Sequence, residues 1–117
     1  MRGKVSYLAG KAAEESVARH YDKTGHAIAA RRWRGLGGEI DLVVRKGGEL
    51  IFVEVKQSRS FEQAAWRVTE RQMRRIYTAA SEFLAGEPQG ELTPSRFDVA
   101  LVDGHGRIDI LENAYAA

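Results

Sequence analysis

The chain of 117 residues contains no cysteine. Disulfides and thiolate metal sites are therefore excluded, and an intracellular, cytoplasmic setting is expected. No run approaches the ~20 apolar residues of a membrane helix. Residues 1–10 lack a long apolar segment, so no signal peptide is expected. Repeats, low-complexity segments and interdomain linkers are also missing, which predicts one domain over 1–117. His20, His26 and His105 show no ligand spacing. Gly35-Leu36-Gly37-Gly38 precedes a strand rather than a helix, and no lysine follows at the required place, so it is not a nucleotide cradle.

What is present suits a globular protein: 44% hydrophobic and 29% charged residues. The net charge of +2 is unevenly spread. Residues 1–35 carry eight Lys/Arg against three Asp/Glu, and residues 86–117 carry two against six. One cationic face, and a polyanionic partner such as nucleic acid, follow from that asymmetry; ordinary surface charge is the plainer explanation.

Ala9, Ala13, Val17 and Tyr21 recur at helical spacing, predicting a helix over 7–22 stopped by Gly25. Strands are expected at 26–33, 39–45 and 49–57, the last two joined by a Gly47-Gly48 hairpin. Residues 58–68 read as a loop. Thr69-Glu70-Arg71-Gln72 fits a capping box. The helix it opens shows Met73, Ile76, Tyr77, Ala80, Phe83 and Leu84 on one face. Strands at 96–103 and 107–111 close the chain. The expected fold class is α/β: a mixed sheet flanked by helices.

The stretch Glu54-Val55-Lys56 is unusual in a strand bound for a core. Alternation puts Glu54 and Lys56 on one face and Ile51, Val53 and Val55 on the other, which packs inward. Alone, the pair is a same-face ion pair worth ~0–1 kcal/mol. Asp41 adds to it. Asp41 lies seven positions before the turn centre and Glu54 seven after, so a regular hairpin sets them opposite one another. Two carboxylates so close repel unless a cation neutralises them, and Mg²⁺ or Mn²⁺ suits one or two carboxylates with water. Glu39 shares the face. Glu14 is in phase with Ala18 and Tyr21, near the inward edge of the first helix, where it reaches the site or is simply solvated. A metal on Asp41, Glu54 and Glu14, with Lys56 as the cationic partner, has the parts of a phosphodiesterase.

These residues resemble the PD-(D/E)xK nuclease motif and, more narrowly, the YraN family. The matching segments are Gly10 with Glu14 and Ala18, Arg31-Arg32-Trp33-Arg34, Gly37-Gly38-Glu39-Ile40-Asp41-Leu42, Phe52-Val53-Glu54-Val55-Lys56, Val68-Thr69 and Arg96-Phe97-Asp98-Val99. The resemblance implies a restriction-endonuclease-like αβββαβ core, related to Holliday-junction resolvases. It also implies a Mg²⁺- or Mn²⁺-dependent activity with Asp41, Glu54, Lys56 and Glu14 as catalytic residues. A homodimer is expected by analogy with enzymes that cut two strands. Family members usually carry Gly at position 13, Thr-Arg at 57–58 and Lys at 72; here stand Ala13, Gln57-Ser58 and Gln72.

For nucleic acid, DNA rather than RNA, the candidate contacts are Arg31, Arg32 and Arg34 around Trp33, which either stacks on a base or belongs to the core. Arg67, Arg71 and Arg74 fall at helical spacing opposite the apolar stripe, a phosphate-tracking row or a solvated face. Trp66 packs under its loop or marks a partner surface. The leading expectation is a metal-dependent nuclease of DNA, branched DNA among its substrates. A non-catalytic nucleic-acid-binding module on the same fold, or a docking protein using Trp66, are the alternatives.

Overall fold

Two helical layers sandwich a sheet whose strands lie in the order in which the chain makes them. The computed structural model describes residues 2–114, with side chains from Leu8 onward. Helix α1 (Arg2–Lys23) leads into β1 (Ala27–Arg34), β2 (Glu39–Lys46) and β3 (Glu49–Gln57). Helices α2 (Phe61–Trp66) and α3 (Glu70–Leu84) follow, then a 3₁₀ turn at Gly90–Leu92, β4 (Ser95–Val102) and β5 (Ile108–Leu111). The sheet order is β1-β2-β3-β4-β5, with only β3 and β4 parallel. That one parallel pair needs a crossover, which α2 and α3 supply. It is the mixed α/β, restriction-endonuclease-like arrangement expected from the sequence.

Alternation along β3 splits the core in two. Ile51 and Val53 join Leu42, Val44, Ala100 and Val102 under Val17 and Tyr21 of α1. Leu50 and Phe52 join Val43, Phe97, Val99 and Leu101 under Met73, Ile76 and Ala80 of α3. Both faces of β3 are therefore covered, as its nearly unbroken apolar run ELIFV requires. The sequence reading put Glu54 on an outer, half-open face. In fact that face lies beneath α3, and Glu54 is 6% exposed.

Two further differences have local causes, and the open reading of Trp33 is decided. Residues 58–68 are not all loop: the Ser60 hydroxyl accepts from Gln63 N at 3.1 Å and caps the short α2. Arg67 is the C-cap of that helix, so the row Arg67, Arg71, Arg74 does not run along one helix; Arg71 and Arg74 stand exposed on α3. Trp33 packs edge-on to Phe83 with centroids 5.3 Å apart, a core contact rather than a free stacking surface. Elsewhere the signals hold. Thr69 Oγ1 caps α3 by accepting from Gln72 N at 3.1 Å. Gly47 and Gly48, with φ of 57° and 86°, make the tight turn that only glycine takes easily.

Candidate active site

The hairpin register runs from Lys46↔Glu49 to Leu42↔Val53 and then stops. One step further it sets Asp41 opposite Glu54, as the count from the turn predicts. The ladder ends there because the side chain of Asp41 takes over: its Oδ2 accepts from Val55 N at 2.8 Å. A carboxylate in place of a backbone carbonyl lets β2 and β3 diverge, and the cleft opens between them.

On β1 the same place is irregular. Arg31 pairs with Leu42 and Trp33 with Ile40, which leaves Arg32 beside Asp41. Arg32 has φ of 46°, rare for a side-chain-bearing residue in a strand. Leu42 packs on the α1 side and Ile40 on the α3 side, although two positions apart on one strand. Alternation is thus broken at Asp41 and Arg32 together, and strain at this point marks a site as much as a fold.

A cavity of about 420 Å³ gathers Asp41, Glu54 and Lys56, and Glu14 reaches it from α1 across the divergence of the strands. All four residues expected from the sequence meet there. Lys56 Nζ is 3.7 Å from Glu54 Oε1. Glu14 is held by Arg32, with Nε to Oε1 at 2.9 Å and Nη2 to Oε2 at 3.3 Å. Burial raises the Glu14 carboxyl, Arg32 counters it, and Asp41 raises it again. Glu54 is pushed up to about 9, first by burial and then by the Asp41 carboxylate facing it, with Lys56 too distant to offset both.

α3 closes the other wall. Gln72 and Arg75 line the cavity. The loop 35–38 is pinned to α3 by Glu82, whose two carboxylate oxygens accept from Leu36 N and Gly37 N, each at 2.7 Å. Glycine is needed because the loop lies so close: a Cβ on Gly37 would collide with Thr78, and one on Gly38 would come within 3.2 Å of the Arg75 carbonyl. That clamp sets where β2 begins, and so where Asp41 stands. Glu82 escaped the sequence reading, which had Arg75 only alongside the arginine row of this helix. A glycine cluster followed by a distant helix acid is the trace Glu82 leaves.

Of the expected nucleic-acid contacts, Arg31 and Arg32 line a neighbouring cavity that shares Glu14 and Asp41. Arg34 pairs with Glu39 at 3.0 Å on an exposed rim. Arg67 donates to the Gln57 carbonyl at 2.9 Å beside Lys56. Arg71 and Arg74 remain on the solvent side of α3.

The donor set is hard oxygen, as Mg²⁺ or Mn²⁺ prefers. Two facing carboxylates, Glu54 with a raised proton affinity, have one lysine amine at 3.7 Å to answer them, so the residues fit a divalent cation. Asp41 and Glu54 would be its ligands. Among the described residues no three acid or histidine side chains already stand as a ligand cluster, since Glu14 turns to Arg32.

A family model described as Uncharacterised protein family UPF0102 matches residues 13–102, from the middle of α1 to the end of β4. A UPF0102 protein of Cereibacter sphaeroides (strain ATCC 17029) is 66% identical over 117 residues, covering all of both chains. One from Ruegeria pomeroyi is 60% identical over 114 residues, 97% of this chain and 93% of its own. One from Dinoroseobacter shibae is 46% identical over 112 residues, 96% of this chain and 84% of its own.

Proposed function

The chain belongs to the UPF0102 family, and from its site we propose that it is a Mg²⁺- or Mn²⁺-dependent nuclease of the PD-(D/E)xK type that hydrolyses phosphodiester bonds of DNA, branched DNA among them. The observation that carries the reading is Asp41 facing Glu54 where β2 and β3 part, with Lys56 and Glu14 in the same cavity. Asp41 and Glu54 would hold the metal, with Glu14 able to join once released from Arg32. When bound, the metal supplies a Lewis acid for a phosphate oxygen and lowers the pKa of a water.

The chain's own groups do the rest. Lys56 brings positive charge to the phosphate and orients the attacking water. The water oxygen bonds to phosphorus and gives up a proton to solvent, the bond to one ester oxygen breaks, and that oxygen leaves to take up a proton from solvent. Val55 N holds Asp41 in place. The buried position of Glu54 excludes bulk water, which strengthens each of these interactions. Arg31, Arg71 and Arg74 would meet flanking phosphates. Cutting two strands of a junction calls for a homodimer, and the absence of cysteine agrees with work in the cytoplasm.

The test is calorimetric Mn²⁺ binding and cleavage of a labelled four-way junction, by wild type and by Asp41→Ala/Glu54→Ala. Binding and cutting that both vanish in the variant support the nuclease. A folded wild type that takes up no metal and leaves every DNA uncut refutes it. The Glu14–Arg32 pair favours a second reading, a nucleic-acid-binding module on the same fold. That reading predicts DNA binding indifferent to Glu54→Ala and no cleavage.

A further inference from the structure

A second cavity, of about 320 Å³, lies next to the candidate site and shares Glu14, Val55 and Lys56 with it. Its α1 wall is made of Ala9, Gly10 and Ala13. A Cβ built on Gly10 would meet no atom within 4 Å, so the helix opens there instead of packing. The opposite wall carries Gln57 and Arg67. Arg67 uses one guanidinium donor on the Gln57 carbonyl at 2.9 Å, which fixes its head beside Lys56 and leaves the others for a ligand. Among the described residues, two cations therefore face a space walled by small side chains, with Glu14 as its one acid.

Trp66 precedes Arg67 in the chain. It ends α2 and is 82% exposed. The core contacts of this segment fall on Phe61, Ala64 and Val68, so Trp66 is not part of the packing. Arg59, Arg67 and Arg71 stand exposed around it in sequence, against Glu62 and Glu70. An exposed indole adjoining a fixed guanidinium is the pair of surfaces that single-stranded nucleic acid uses: an aromatic plane for a base, a cation for its phosphate.

We infer that this cavity, with Arg67 on its wall and the exposed Trp66 next to Arg67 in the chain, holds an unpaired nucleotide next to the scissile phosphate, so that the substrate carries a single-stranded or unpaired segment at the cut. The inference rests on the nuclease reading for the word scissile and on nothing else in it. One nucleotide would lay its sugar over Gly10, where no side chain stands, while Lys56 and Arg67 meet its flanking phosphates.

The test keeps metal chelated, so that binding is read without cutting. The chain has two tryptophans, and Trp33 is held against Phe83. Fluorescence quenching therefore reports on Trp66. A short oligothymidylate is expected to quench it, and a blunt duplex of similar length to do so much less. Trp66→Ala should weaken oligothymidylate binding about 10-fold or more, read by anisotropy of a labelled oligomer, and leave duplex binding unchanged. Arg67→Ala should weaken it and flatten its salt dependence by about one phosphate contact. Trp66 is exposed, so its variant keeps the fold. Equal oligothymidylate affinity in Trp66→Ala overturns the site, as does an equal loss on duplex. Trp66-dependent binding in a protein that cuts no DNA with Mn²⁺ sustains the nucleotide site and removes only the nuclease reading.

Discussion

Asp98 and Glu54 are buried carboxylates on the two parallel strands, and they have opposite surroundings. Asp98 pairs in register with Val53 and so points to the α1 side; Glu54, one step on, points to the α3 side. Asp98 accepts from Tyr21 Oη at 2.8 Å, from Arg96 Nε at 3.0 Å and from Asn113 N at 3.0 Å. Its charge is answered, and it ties α1, β4 and the segment after β5 together. Glu54 faces another acid, with one amine at 3.7 Å. Burial alone therefore does not mark a site. A buried acid with its donors supplied is architecture; one set against a second acid has charge left unanswered, which is why we propose a cation there.

The comparison breaks most visibly at Asp98. Asp98→Ala takes the acceptor from the Tyr21 hydroxyl and Asn113 N and leaves Arg96 with Glu112 at 3.6 Å and Glu49 at 3.8 Å, and should cost about 3 kcal/mol in urea unfolding. A loss under about 1 kcal/mol would deny Asp98 its structural role. Glu54→Gln should do the reverse: junction cleavage falls at least about 100-fold while the fold survives. Cleavage that persists would remove Glu54 from the chemistry.

Next in size is the pH response of the metal-free protein. The folded state holds the Glu54 proton more tightly than the unfolded chain, so ionisation opposes folding. The associated stability is complete below the ordinary carboxylate range near 4.5 and is lost as pH rises toward 9. The slope approaches about 1.4 kcal/mol per pH unit in between. Thermal melts of wild type and Glu54→Gln should diverge across that window, the variant being the more stable at pH 8; parallel curves would contradict it. The smallest effect belongs to Arg32. Arg32→Gln frees Glu14 and should tighten Mn²⁺ binding several-fold by calorimetry, through one more carboxylate for the ion. Weaker binding would mean that Arg32 positions Glu14 rather than withholding it.

Much of this was legible in the sequence because it depends on local periods. The Gly47-Gly48 turn and alternation put Asp41 across from Glu54 before any coordinates, and Thr69 announced α3. What was not legible depends on distant partners. Ser60 capping α2 is one weak signal in a polar stretch. The burial of Glu54 follows from α3 lying over its face, and strand alternation cannot say which faces are covered. The turn of Glu14 toward Arg32 needs a left-handed residue in β1, and Glu82 reaches loop 35–38 across more than forty positions. Trp66 could be read either way; its exposure settles that it does not pack under its loop.

The Gly47-Gly48 turn has a last consequence, for how this chain tolerates change. It is exposed, makes no close contact at either would-be Cβ, and lies at the far end of the hairpin from the site. Such turns ordinarily accept insertions. Here one inserted residue that slips the pairing by a single place carries Asp41 away from Glu54 to the opposite face of the sheet. The turn acts as a ruler: its length measures out the distance at which two acids meet, so an uncrowded point of the molecule is also one where a length change would cost it the site.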